Sequence, residues 1–112
     1  MTLKNSQTLA IDVKNLYDRL NKKAGQSIWT AEDYLSGLMG DIGDLHKLLM
    51  AKNNKRSYKG KDMTLDQAIE HEMADILWSV FVLAEAHGVD VDKAFTTTMA
   101  KLKTDIDGKL GA

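Results

Sequence analysis

Apolar residues recur at helical spacing in four stretches of this chain, separated by three short polar connections. From about Ser6 to Ala24, Leu9, Val13, Leu16 and Leu20 step by 4, 3 and 4, which places them on one face of a helix. Gly25 follows as a C′ stop. Thr30-Ala31-Glu32-Asp33 resembles a capping box and opens a second helix, in which Leu35, Leu38, Ile42, Leu45 and Leu49 step by 3, 4, 3 and 4. A polar loop runs from about Asn53 to Met63. Thr64-Leu65-Asp66-Gln67 is then a cleaner capping box, because Thr and Gln can satisfy each other's orphan amides. The third helix ends at Gly88. Asp90 caps the fourth, whose Phe95, Met99, Leu102 and Ile106 again step by 4, 3 and 4.

The run from Ile76 to Ala84 taken alone could be a buried strand, since it is rich in β-branched and aromatic residues. Length decides for helix. The preceding stretch from Asp66 to Asp75 is rich in helix formers and holds no breaker, and Glu85 and Ala86 continue it. A helix of roughly six turns that is apolar almost all round along its C-terminal half must be central. The pattern predicts an all-α, four-helix bundle over residues 1–112, its third helix covered by the other three or by a partner chain.

Composition narrows the function classes. The chain has 112 residues, 44% hydrophobic and 28% charged, the profile of one small globular domain. It has no cysteine, which removes disulfides, thiolate metal sites and cysteine nucleophiles together. It has no proline, so nothing forces a break in a helix. The longest apolar stretch is too short to span a bilayer and no secretory pattern opens the chain, so a soluble cytoplasmic location and no membrane partner are expected. Fifteen Lys and Arg against 16 Asp and Glu leave a formal charge of −1, which offers nucleic acid no global attraction.

Candidate chemistry lies in four acids at i,i+3 spacing: Asp41 and Asp44 on the second helix, Glu72 and Asp75 on the third. At about 100° per residue, Asp41 falls inside the apolar arc, between the directions of Tyr34 and Leu48, and Asp44 lies just past its edge. Glu72 and Asp75 project into the arc defined by Ile76, Val82, Leu83 and Ala86. Ionised carboxylates near a core need compensation, which otherwise costs several kcal/mol. Four convergent oxygens suit a hard divalent ion such as Mg²⁺, or Mn²⁺. A helical protein this rich in charge also produces such pairs as ordinary solvated faces. A di-iron bundle needs inward Glu-x-x-His pairs, and His46, His71 and His87 all lack a Glu three residues earlier, so the histidines receive no role.

Glu72-Met73-Ala74-Asp75-Ile76-Leu77-Trp78, followed by His87-Gly88-Val89-Asp90-Val91, resembles the signature of the MazG-like all-α nucleoside triphosphate pyrophosphohydrolases. The resemblance covers about Trp29 to Ile106. Where that family carries Glu-Glu-x-x-Glu, this chain reads Gly40-Asp41-Ile42-Gly43-Asp44. The resemblance implies Mg²⁺-dependent cleavage of an NTP or dNTP between the α- and β-phosphates, giving a nucleoside monophosphate and pyrophosphate. Asp41, Asp44, Glu72 and Asp75 are then the metal ligands and catalytic acids, with Lys101 and Lys103 reaching the phosphates. Trp29, at the entry to the second helix, is placed to stack a base, whereas Trp78 belongs in the core.

Gly37, Gly40 and Gly43 recur every three residues on the second helix, each costing about 1 kcal/mol relative to Ala. That pattern predicts close approach of a neighbouring backbone or of substrate, which would let the shorter aspartates serve. The loop with Lys55, Arg56, Lys59 and Lys61 has a composition compatible with closing over phosphates or touching nucleic acid, and equally with a solvated loop. The altered acid motif also supports a second reading, a non-catalytic member that binds a nucleotide or a protein. Because a chain of this size has little area to cover its apolar third helix, a homodimer or homotetramer is expected.

Overall fold

The computed structural model describes residues 2–111. Four helices account for most of them: α1 (Leu3–Lys23), α2 (Ala31–Lys52), α3 (Leu65–Ala86) and α4 (Val91–Gly111). Among the described residues there is no strand. The first helix starts earlier than its apolar stripe does, because Thr2 and Asn5 form a capping box ahead of it. Thr30 with Asp33 and Thr64 with Gln67 form the other two, each Thr hydroxyl accepting from the N3 amide while the N3 side chain accepts from the cap amide. Asp90 accepts from the Lys93 amide at 3.1 Å and caps α4.

The first three helices end in the same way. Gly25, Asn54 and Gly88 take left-handed backbone at φ of 71°, 61° and 66°. In each case the next amide reaches back to the carbonyl five residues earlier: Gln26 to Asn21, Lys55 to Met50 and Val89 to Ala84, at 2.7–2.8 Å. These are Schellman closures, and glycine is favoured at Gly25 and Gly88 because a Cβ opposes that φ.

Helices α2 and α3 pair antiparallel, and α1 lies antiparallel on α3. Tyr34, Phe81, Val82, Ala10 and Ala84 form the buried apolar core, with Gln7 and Ser79 as its buried polar members. Trp78 ties the three helices together. Its ring packs on Tyr17 and Tyr34 at centroid distances of 5.5 and 5.4 Å, and its indole N–H donates to the Ala10 carbonyl at 2.9 Å. Trp78 therefore packs against the core as expected, half-buried at its edge.

Helix α4 packs chiefly on α1 and buries no residue. The stripe expected to face a core within the chain, Phe95, Met99, Leu102 and Ile106, is 41–54% exposed. On α3, Met73, Leu77 and Val80 are exposed at helical spacing too. The third helix is thus central but only half covered. None of the described helices is long and apolar enough to cross a membrane.

Candidate metal centre

Antiparallel pairing of α2 and α3 sets Asp41 opposite Glu72 and Asp75. One carboxylate oxygen from each of these three lies within 4.8 Å of the others. Two ligands on opposite sides of Mg²⁺ sit about 4.2 Å apart at 2.1 Å bonds, so only small side-chain movements separate this arrangement from a coordination shell. All three residues are half-buried. Glu72 Oε2 is buried with no hydrogen-bond partner, a lone acceptor that an added cation would satisfy. The donor set is oxygen only, which fits a hard divalent ion.

Electrostatics show the same deficit. Loss of solvent pushes the Asp41 carboxyl above its ordinary value, and the charges of Asp75 and Asp44 push it further. Glu72 is raised by burial first, then by Asp41, Asp44 and Asp75. Among the described residues no lysine or arginine pairs with any of the four acids. The one basic side chain paired with them is His71, whose Nε2 lies 3.2 Å from Asp75 Oδ2. Its influence draws the Asp41 and Glu72 values down, against the larger effects. His71 stands four residues before Asp75 on one helix face, a spacing that brings the two side chains together and that the Glu-x-x-His pattern does not include.

The other candidates are dispersed. Asp44 is exposed and lies outside the three-residue cluster, though near enough for its charge to act on Asp41 and Glu72. Trp29 precedes α2, more than two turns from Asp41, with its edge on Tyr34 at 5.4 Å. It stays 48% exposed, so an aromatic face remains accessible there. Lys101 and Lys103 stand on α4, away from the α2–α3 seam, and Lys103 pairs with Asp107 at 3.5 Å. The glycines bring no neighbouring backbone close within the chain, although they leave room for substrate, the other expectation. Nothing lies within 4 Å of a Cβ built on Gly40 or Gly43, and Gly37 meets only the Trp29 ring at 3.5 Å. These glycines face open space, so no backbone approaches them closely within the chain.

No curated protein matches the chain, and no solved structure does either. The family model for the MazG nucleotide pyrophosphohydrolase domain matches residues 30–105, which spans α2, α3 and most of α4 and includes every one of the four acids. With two-thirds of its length matched, the chain belongs to the MazG nucleotide pyrophosphohydrolase domain family.

Proposed function

We propose that this protein hydrolyses a nucleoside triphosphate between its α- and β-phosphates, releasing a nucleoside monophosphate and pyrophosphate. The observation that carries this reading is the convergence of Asp41, Glu72 and Asp75, with Glu72 Oε2 orphaned, inside the matched family domain. Asp41, Glu72 and Asp75 would hold Mg²⁺ or Mn²⁺. Bound there, such an ion neutralises phosphate charge and makes a water more acidic.

The chain's own part is positioning and proton transfer. A water oxygen bonds to the α-phosphorus, the bond from that phosphorus to the bridging oxygen breaks, and pyrophosphate leaves with the electron pair. With Oε2 turned to the cation, the other Glu72 carboxylate oxygen accepts the water proton, a role suited to a carboxyl whose basicity is raised by burial. His71 orients Asp75 through the contact at Oδ2 and leaves the other carboxylate oxygen to face the cluster. Asp44 supports the site by charge rather than by contact.

Assembly is part of the proposal. The exposed stripes of α3 and α4 support a homodimer or homotetramer, and a second copy would bring further side chains to sites that Trp29, Lys101 and Lys103 do not reach within one chain. Asp44 outside the cluster, with Gly40 in place of an acid, favours a second reading as a nucleotide binder without turnover. Measurement of pyrophosphate release from a panel of NTPs and dNTPs with Mg²⁺ or Mn²⁺ decides between them. Turnover by the parent, removed in Asp41→Ala, supports hydrolysis. Equal background rates for parent and variant across the panel leave the binder.

A further inference from the structure

The loop between α2 and α3 is built around a cavity of about 480 Å³, lined by Lys47, Arg56, Ser57, Tyr58 and Lys59 together with apolar α2 side chains. No acidic residue lines it. Among the described residues, none of its three cations has an ion-pair partner, whereas neighbouring Lys52 is engaged by Asp66. Three cationic residues border this concavity with no acid among them, an arrangement whose field favours an anion.

The loop holds a specific shape. The Tyr58 hydroxyl donates to the Met63 carbonyl at 2.8 Å, closing the segment on itself. The Tyr58 ring lies directly on Gly60, where a Cβ would collide with the ring and its oxygen. Glycine at position 60 is thus what lets the ring seat as a wall of the cavity. Arg56 offers a planar fork for two phosphate oxygens, Lys47 and Lys59 supply point charges, and the Ser57 hydroxyl can donate as well.

We propose that this cavity binds the diphosphate group of a polyphosphate anion through Lys47, Arg56 and Lys59. Leu48 in its wall lies seven residues from Asp41 on the same face of α2, about 10 Å along the helix. That offset is longer than the step between adjacent phosphates, so the cavity takes a free diphosphate, such as the pyrophosphate that leaves the acids, rather than the β-phosphate of a substrate still held there. This role rests on the hydrolase reading, whereas the anion site itself does not. Its cations also stand where Lys101 and Lys103, on the distant α4, do not.

The test is calorimetric titration of the full chain with inorganic pyrophosphate in EDTA, so that the acids take no part. The parent is expected to saturate below about 1 mM. Arg56→Gln and Lys59→Gln should each weaken binding about tenfold or more, the scale of a charge-assisted hydrogen bond to phosphate. Gly60→Ala should weaken it with no change of charge, because the Tyr58 ring must move. Asp41→Asn should retain it, and so should the charge-matched control Lys22→Gln on α1. Pyrophosphate binding without NTP turnover would leave the anion site standing and remove the hydrolase. Absence of binding to the parent, or equal losses in the loop and control variants, overturns the proposal.

Discussion

Asp41 sits in a field of its own sign. Its carboxyl is raised by burial, Asp75 and Asp44, and Glu72 is raised by burial and the same group of acids. A carboxyl whose folded value exceeds its unfolded one contributes stability that is complete below the unfolded value and disappears as pH rises through the folded one. For these two groups the ordinary values are 3.8 and 4.5, so the ionised cluster destabilises the metal-free chain at neutral pH. Asp41→Asn should therefore raise the melting temperature at pH 7.5 by roughly 1–4 °C, on the scale of partly solvated charge pairs. The advantage should vanish below the ordinary Asp value, where the parent is protonated too. In the parent, Mg²⁺ at a hundredfold excess over its dissociation constant should stabilise by about 2.7 kcal/mol, and in Asp41→Asn that gain should collapse. A variant that melts lower than the parent in EDTA at pH 7.5 would contradict like-charge crowding. Three of these acids were legible because period and polarity together mark an acid inside an apolar arc. Asp44, which lies just past the edge of that arc, is the acid left exposed.

At the scale of elements, what is local was legible and what is long-range was not. Thr30, Thr64, Asp90, Gly25 and Gly88 bound their helices where short-range hydrogen-bonding chemistry predicts. Gln7 could not be read in that way. It is buried because the α3–α4 turn lands on α1, where its side chain donates to the Val89 carbonyl at 3.2 Å and accepts from the Val91 amide at 3.2 Å. A second donation reaches Glu85 Oε2 at 3.4 Å. One amide side chain thus fixes the angle at which α4 leaves the body. Gln7→Ala strips partners from two backbone groups and should cost about 1–3 kcal/mol, lowering the melting temperature by several degrees. Hydrogen exchange at the Val91 amide should quicken more than at amides in the middle of α3. Unchanged exchange at Val91 would show that the α3–α4 turn holds without this contact.

The whole molecule is more open than a compact monomer of its length. Its radius of gyration is 17.7 Å, against about 13 Å for a compact chain of this length. Its accessible surface is 8542 Å², some 2,400 Å² above the roughly 6,100 Å² of an ordinary monomer of this mass. Among the described residues, twenty large hydrophobic side chains are at least a third exposed, while five apolar residues form the buried core. The apolar stripes of α3 and α4 were evident in the sequence, but their partners were not, since periodicity gives the direction of a face and says nothing of which chain covers it. An excess of this size falls in the range that permanent subunit interfaces bury. The chain should therefore sediment at a multiple of 12.4 kDa at micromolar concentration. Leu77 is 47% exposed in the groove between α1 and α3, beside Asp75, so a carboxylate there would be buried unpaired in an assembled seam. Leu77→Glu should shift the protein toward monomer and lower its melting temperature together. A multimer indifferent to Leu77→Glu would move the seam to the α4 stripe, where Leu102→Glu should dissociate it. A parent that sediments near 12.4 kDa would leave these stripes without a role in assembly.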